Sequence, residues 1–180
     1  GEGIDWAMPL YKGSIRARLP NGTFQTCNVI GLDDATLIAG PPNMIDGALS
    51  DLRRADGVIV DEAGASTKLA KQGPTPNSPK IPLKVGDILE LNDNRAVVVG
   101  IARTTRTFQS QPVVYTTYSR AMRFAPRERK LLSFILAKVR VGYDRNEIAL
   151  RINQQRSLAF FCTEQSKGNT IRYFMKNTGR

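Results

Sequence analysis

Apolar and polar positions alternate in several stretches of the chain, and that alternation predicts most of its elements. Ser14-Ile15-Arg16-Ala17-Arg18-Leu19 has the period of two of a half-buried strand, and Thr23–Leu32 runs extended beyond Pro20-Asn21-Gly22. Asn-Gly between two such runs is a strong hairpin signal, because both residues tolerate positive φ. A second hairpin is predicted for Lys84–Leu91 and Arg95–Ile101 around Asn92-Asp93-Asn94. Gly57-Val58-Ile59-Val60-Asp61-Glu62 reads as a buried strand ending in acid. Pro112–Thr116, Leu132–Val141 and the short Ala159–Cys162 are further strands.

Helical patterns are fewer. Asn43–Arg54 has the look of a short, imperfect helix with Gly47 inside it, and Ala63–Gln72 is rich in helix formers up to Gly73. Tyr118–Arg123 makes a turn or two before Pro126. Asp144 is placed to cap a helix through Arg156, with Ile148 and Ile152 stacked at i, i+4 and Ala149 widening the stripe. Thr163 caps a final helix toward Asn177, with Ile171, Phe174 and Met175 at helical spacing.

Prolines punctuate this order. Pro41-Pro42 breaks the chain after the first hairpin, and Gly73–Lys80 (Gly-Pro-Thr-Pro-Asn-Ser-Pro-Lys) is an exposed loop carrying the chain over an edge. The expected organisation is α+β with two lobes: residues 1–40 and 109–180 pair into one mixed sheet, and 41–108 form an inserted α/β lobe. That inserted lobe is expected to have its own core, including Val58, Val60, Leu89, Val97 and Val99.

With 180 residues the chain can bury roughly 70% of the surface that its unfolded form exposes. Chemistry has little support. The chain contains no histidine, which removes imidazole bases, imidazole metal ligands and the histidine-dependent triads. Cys27 and Cys162 form no Cys-x-x-Cys pair, so neither a structural zinc site nor a thioredoxin-like motif is present. No Walker A loop or Gly-x-Gly-x-x-Gly helix opening occurs, and Ser66-Thr67-Lys68 has the wrong spacing for a serine–lysine pair. Asp33-Asp34 reads as a helix cap or loop rather than a metal site, since neighbours on a strand point to opposite faces. No catalytic, cofactor-binding or metal-ligating residue is assigned. The two cysteines are either small buried hydrophobes or, in an oxidising compartment, a pair if their Cα atoms come within about 7 Å.

Charge then changes the picture. The total of 26 Lys and Arg against 16 Asp and Glu gives +10, and it is uneven. Residues 1–100 hold 10 basic and 12 acidic side chains, net −2, whereas 101–180 hold 16 and 4, net +12. Such asymmetry suits an anionic partner, nucleic acid or a lipid surface. Arg120, Arg123, Arg127, Arg129 and Lys130, flanked by Tyr118 and Phe124, are the densest run. Nucleic-acid binding would want those aromatics on an exposed sheet face; the other reading is a solvated helix face with the aromatics in the core. The longest apolar stretches, Ala96–Ala102 and Leu131–Ala137, are far short of the roughly 20 residues of a membrane span. With no basic, apolar leader at the start, the expectation is a cytosolic protein or a piece of a longer one.

Seven segments taken together resemble one family. Ala7-Met8-Pro9-Leu10-Tyr11-Lys12-Gly13, Ile30-Gly31-Leu32-Asp33, Gly57–Glu62, Val85-Gly86-Asp87-Ile88-Leu89-Glu90-Leu91-Asn92 and Val98-Val99-Gly100-Ile101 appear in order. Pro112–Ala121 and Lys176-Asn177-Thr178-Gly179 complete the set. The pattern resembles the extracytoplasmic domain of FtsX-like/MacB-type ABC transporter permeases, most closely the DevC-like branch. The resemblance implies a Porter-like lobe from both chain ends, which the short first segment would leave incomplete, and an inserted Sabre-like lobe. It implies a noncatalytic, cofactor-free periplasmic domain of an inner-membrane export permease that transmits ATP-driven motion and docks a periplasmic adaptor. Its partners would be that membrane-fusion adaptor, an ABC ATPase reached through transmembrane helices and a second permease copy, with the isolated domain monomeric. Gly73, Thr75, Asn77 and Lys80 of the loop, and Asn92, Asp93 and Asn94 of the turn, are the expected partner-binding tips; Arg172, Lys176 and Arg180 are the expected membrane-proximal cations. The alternative is a basic cytosolic nucleic-acid-binding protein.

Overall fold

The computed structural model describes residues 3–75, 77–104, 111–126, 133–155, 159–161 and 170–174. The described residues form one mixed sheet of ten strands with three short helices, an α+β fold. In chain order the strands are β1 (Ile4–Arg18), β2 (Phe24–Leu32), β3 (Asn43–Asp46), β4 (Gly57–Asp61), β5 (Ile88–Leu91) and β6 (Asn94–Arg103). Then come β7 (Val113–Thr117), β8 (Ser133–Val139), β9 (Ala159–Phe161) and β10 (Thr170–Phe174). The helices are α1 (Glu62–Ser66), α2 (Tyr118–Phe124) and α3 (Arg145–Gln155), with a 3-10 turn at Leu49–Arg53.

The pairings close a ring. β2 pairs with β7, β7 with β4, β4 with β6, β6 with β5, β5 with β1, and β1 again with β2. Six strands thus make a small barrel whose interior is filled by side chains. Alternate residues point inward: Ile15 and Ala17 of β1, Cys27 and Val29 of β2, Val58 and Val60 of β4, Leu89 and Leu91 of β5 and Val98 of β6 share one core cluster. Ala121 and Phe124 of α2 join the same cluster, as do Ala65, Leu69 and Leu83. The residues between them, including Ile59, Val97 and Val99, face outward onto Leu37, Leu52 and Leu136. At Val99 a β-bulge shifts the register, so Val58 opposes Val98 and Ile59 opposes Gly100. β3 crosses so close to this point that a Cβ on Gly100 would meet Met44 Cε at 2.7 Å and the Asp46 carbonyl at 3.1 Å.

β1 serves a second sheet segment. Its first half, Ile4–Tyr11, pairs with β8, which carries β10 and then β9. The α3 helix packs there through Ile148, against Ala137 and Val139.

Both hairpins are found where the sequence places them. The first closes over Leu19–Thr23 with only Gly22 at positive φ, while Asn21 Oδ1 accepts from the Thr23 amide at 3.0 Å. Asn92 and Asp93 both have positive φ, 46° and 62°, the mark of a type I′ turn. The cap at Asp144 is also found, its carboxylate accepting from the Asn146 amide at 2.6 Å.

Several expectations are corrected. β1 begins ten residues before Ser14, and at Pro9 it pairs with β8 alone. Asn43–Arg54 is not a helix but β3, a left-handed Gly47 (φ 72°) and the 3-10 turn. The helix after Asp61 ends at Ser66, where Thr67 leaves helical geometry, and Lys71 beyond it bridges Ile81. The final helix is instead β10, where Thr-Ile-Arg-Tyr-Phe follows its β-branched and aromatic content. Thr163, Met175 and Cys162 lie outside the described residues. Val58, Val60 and Leu89 of the middle segment share a core cluster with Tyr11, Ile15, Val29 and Phe124, while Val97 and Val99 lie with the second cluster. β1, β2 and β7, from outside 41–108, complete the six-stranded ring.

Arg120 joins the pieces. Its guanidinium, buried on α2, donates to the carbonyls of Gly57 (2.8 Å), Leu52 (2.9 Å) and Arg54 (3.0 Å) and to Thr116 Oγ1 (3.3 Å). Burial, and secondarily the charge of Arg123, lowers its pKa. Replacing Arg120 with Met leaves the Gly57 carbonyl with Thr116 Oγ1 and the Arg54 carbonyl with the Gly57 amide but takes the donor from Leu52, and urea unfolding should show a loss of about 2 kcal/mol; an unchanged midpoint would exclude the clamp.

Cys27 carries a pH signature. Burial first, then the negative charge of Asp61, pushes its thiol up to about 12, against 9.0 for a solvated thiol. The native state thus binds a proton that the unfolded chain releases above pH 9, so this contribution is intact below pH 9 and is lost as pH rises toward 12. The stability difference between the parent and Cys27→Ala should shrink across that interval in urea titrations, and a constant difference would contradict it.

Candidate docking site

The Gly73–Lys80 loop is held at its base, not at its tip. Lys71 and Ile81 bridge as an antiparallel pair, and Lys71 Nζ donates to Asp87 at 2.8 Å, just before β5. This ion pair keeps the Asp87 carboxyl below its ordinary range, where burial alone would raise it. Within the loop Thr75 and Ser78 bond only each other, at 2.6 Å between hydroxyls. Thr75 and Asn77 are exposed, and Lys80 reaches back to the Thr67 carbonyl at 3.5 Å. The loop is therefore locally ordered and weakly joined to the body.

The Asn92–Asn94 turn is different. The Asn92 amide donates to the Arg16 carbonyl and its Nδ2 donates to the Phe124 carbonyl, both at 2.9 Å. Asn94 Nδ2 folds back onto the Asn92 carbonyl at 2.7 Å, leaving Asp93 exposed at the tip. The two expected tips lie toward opposite ends of β5, whose four residues span about 13 Å.

Strand register fixes where each sits. Leu10 opposes Phe134, which opposes Phe174, whereas Arg18 opposes Glu90. The loop beside Asp87 thus lies beyond the far end of β1, up to about 26 Å of strand from the β8–β10 segment. Arg172 stands on β10, opposite Leu136 and Phe161; Lys176 and Arg180 lie outside the described residues.

The basic run does not make an aromatic-lined nucleic-acid surface among the described residues: Phe124 and Arg120 are buried while Arg123 is exposed. Arg127, Arg129 and Lys130 lie outside the described residues. Asp33 and Asp34 are loop residues as expected, Asp34 accepting from the Ser119 amide of α2 at 3.1 Å. No group of three acidic or cysteine side chains is arranged for a metal among the described residues, and no helix there is long and apolar enough to cross a membrane.

Sequence reasoning missed the exposed apolar side chains near these loops. Ile81 and Ile88 flank the Lys71–Asp87 pair, and Phe24 ends the first hairpin under the Arg16 guanidinium, 5.0 Å from its ring centroid. Ile88 was open to reading as an outward residue, since Leu89 and Leu91 take the inward positions of that strand.

This fold is shared with solved extracytoplasmic regions of ABC transporters. One is the periplasmic region of MacB from Actinobacillus actinomycetemcomitans, at a TM-score of 0.56 and 15% identity, covering 86% of this chain and 67% of that one. A second is the extracellular domain of the noncanonic ABC-type transporter YknZ from Gram-positive bacteria, at 0.51 and 12%, covering 95% and 82%. A third is a domain of a proposed permease protein of Porphyromonas gingivalis, at 0.53 and 13%, covering 96% and 72%. No family model matches the chain, and no curated protein matches it in sequence.

The two expected tips should separate in a stability assay. Asn92→Ala loses the bond to Phe124 and strains a positive φ, so it should cost about 2 kcal/mol, whereas Asn77→Ala should leave the thermal midpoint within error. Equal effects would mean that the turn is as weakly joined as the loop.

Proposed function

We propose that this chain is the extracytoplasmic domain of an ABC export permease of the MacB type, which relays motion driven by a separate ATPase and docks an adaptor at the Gly73–Lys80 end. The observation that carries the reading is the fold shared with the MacB periplasmic region, the YknZ extracellular domain and a permease domain, over 86–96% of the chain. Placement of the DevC-like branch, the noncatalytic role, the inner-membrane location, the adaptor, the ATPase and a second permease copy all belong to this proposal. So does the membrane-proximal role of Arg172, Lys176 and Arg180. A lobe of 1–40 with 109–180 and an inserted lobe of 41–108 that carries the distal loop belong to it as well.

Two features support a relay. The barrel shares one core across both chain segments, so a displacement of β8 and β1 reaches the loop without a soft joint. The loop itself is tied to the body by little besides its base, so it can adapt to a partner without cost to the fold.

The test uses the full-length chain in intact cells, with Cys162→Ser and Asn77→Cys. The buried, protonated Cys27 contributes no background. A membrane-impermeant maleimide should label residue 77 from outside the inner membrane, and a short Gly-Ser replacement of 73–80 should weaken adaptor cross-linking while the thermal midpoint holds. Labelling only after lysis would overturn the location, and undiminished cross-linking would overturn the docking role of the loop.

A further inference from the structure

The outer face of the barrel beside the loop carries a surface that none of the described residues covers. Because Ile15 and Ala17 point inward, Arg16 and Arg18 of β1 point outward, and both are exposed. The register lines up one row across four strands: Phe24 of β2 opposes Arg18, Arg18 opposes Glu90 of β5, and Glu90 opposes Arg95 of β6. Phe24 is 57% exposed and Ile88, two residues from Glu90 on the same face of β5, is 56% exposed. Strand spacing puts these two apolar side chains roughly 12 Å apart, on either side of Arg18.

Charge indicates the occupant. Arg16 and Arg18 stand against Glu90 on this face, Arg95 being held by Asp56 at 3.2 Å, and the Arg18–Glu90 pair is a loose 4.0 Å contact between half-exposed side chains. Arg16 is spread over the Phe24 ring, which presents a flat, partly desolvated cation and aromatic together, the residue types that concentrate at protein interfaces. A second copy of the same face would set arginines against arginines, so self-pairing is disfavoured. Nucleic acid would want several stacking aromatics, whereas the row has Phe24.

We propose that the outer face of β2–β1–β5 is a docking surface for a protein segment that presents carboxylates around an apolar side chain, the carboxylates meeting Arg16 and Arg18 and the apolar group seated between Phe24 and Ile88. It rests on the reading of the chain as an extracytoplasmic domain with a protein partner. It adds to that reading the chemistry of the partner and a second contact beyond the loop.

The experiment places p-benzoylphenylalanine at position 24 of the full-length chain in the cells that express it, with position 147 on exposed α3 as control, and identifies adducts by mass spectrometry of the joined peptides. The expected result is one protein adduct from position 24 and none from 147, joined through a peptide with Asp or Glu beside an apolar residue. Its yield should fall about tenfold in Arg16→Glu/Arg18→Glu and also fall in Ile88→Ser. Circular dichroism melts of the variants show that the fold persists. No adduct, an adduct indifferent to the charge reversal, or an adduct with nucleic acid, lipid or a second copy overturns the proposal. Labelling of Asn77→Cys from outside with no such adduct sinks this surface alone, whereas labelling only after lysis sinks the reading beneath it.

Discussion

One strand has to serve two sheet segments, and the rest of the structure follows from that. β1 pairs with β8 along its first half and with β2 along its second, and it touches β5 at its end. Closing the six-stranded ring leaves none of the six with an unpaired edge over the paired stretches, which removes the usual hazard of a small sheet. The change of side happens at Leu10 and Tyr11, consecutive residues that join different core clusters. Space for the Tyr11 ring is made by two glycines. Gly31 opposes it across the ladder, and a Cβ on Gly13 would strike the phenol.

Buried polar groups then join what the chain order separates. Asp61 accepts from the Gly64 amide at 2.9 Å to cap α1, and from the Val113 amide at 2.6 Å to fix the start of β7. Arg120 does the same between α2 and the backbone leading into β4. Each spans more than fifty residues of sequence on one side, so neither middle nor ends can shift without exposing or stranding a polar group. The proposed relay between membrane and partner rests on a body held in this way.

The three solved domains that share this fold do so at 12–15% identity, so what is held in common is the packing plan rather than the surface. The surface of this chain is its own: an Arg-rich outer row on β1 with Phe24 and Ile88 beside it, and a proline-rich loop pinned by Lys71. Specificity for one partner over another would be written there.

The sequence by itself determined the local geometry. Alternation in Ser14–Leu19 placed the second half of β1, and extended or apolar runs bounded by turn residues placed β2, β4, β5, β6 and β7; Asn92 and Asp93 gave the tight turn; Asp144 capped α3; the prolines of 73–80 made a loop. These depend on contacts within a few residues, which composition and spacing encode directly. The absence of histidine and the separation of the cysteines likewise bounded the chemistry without any fold. Tertiary structure alone decided the rest. Whether Thr-Ile-Arg-Tyr-Phe became helix or strand depended on the free edge of β8. Whether Arg120 was solvated or buried depended on carbonyls sixty and more residues away. That the middle segment shares its core with the ends follows from ring closure, a pairing between strands whose partners no local pattern can name.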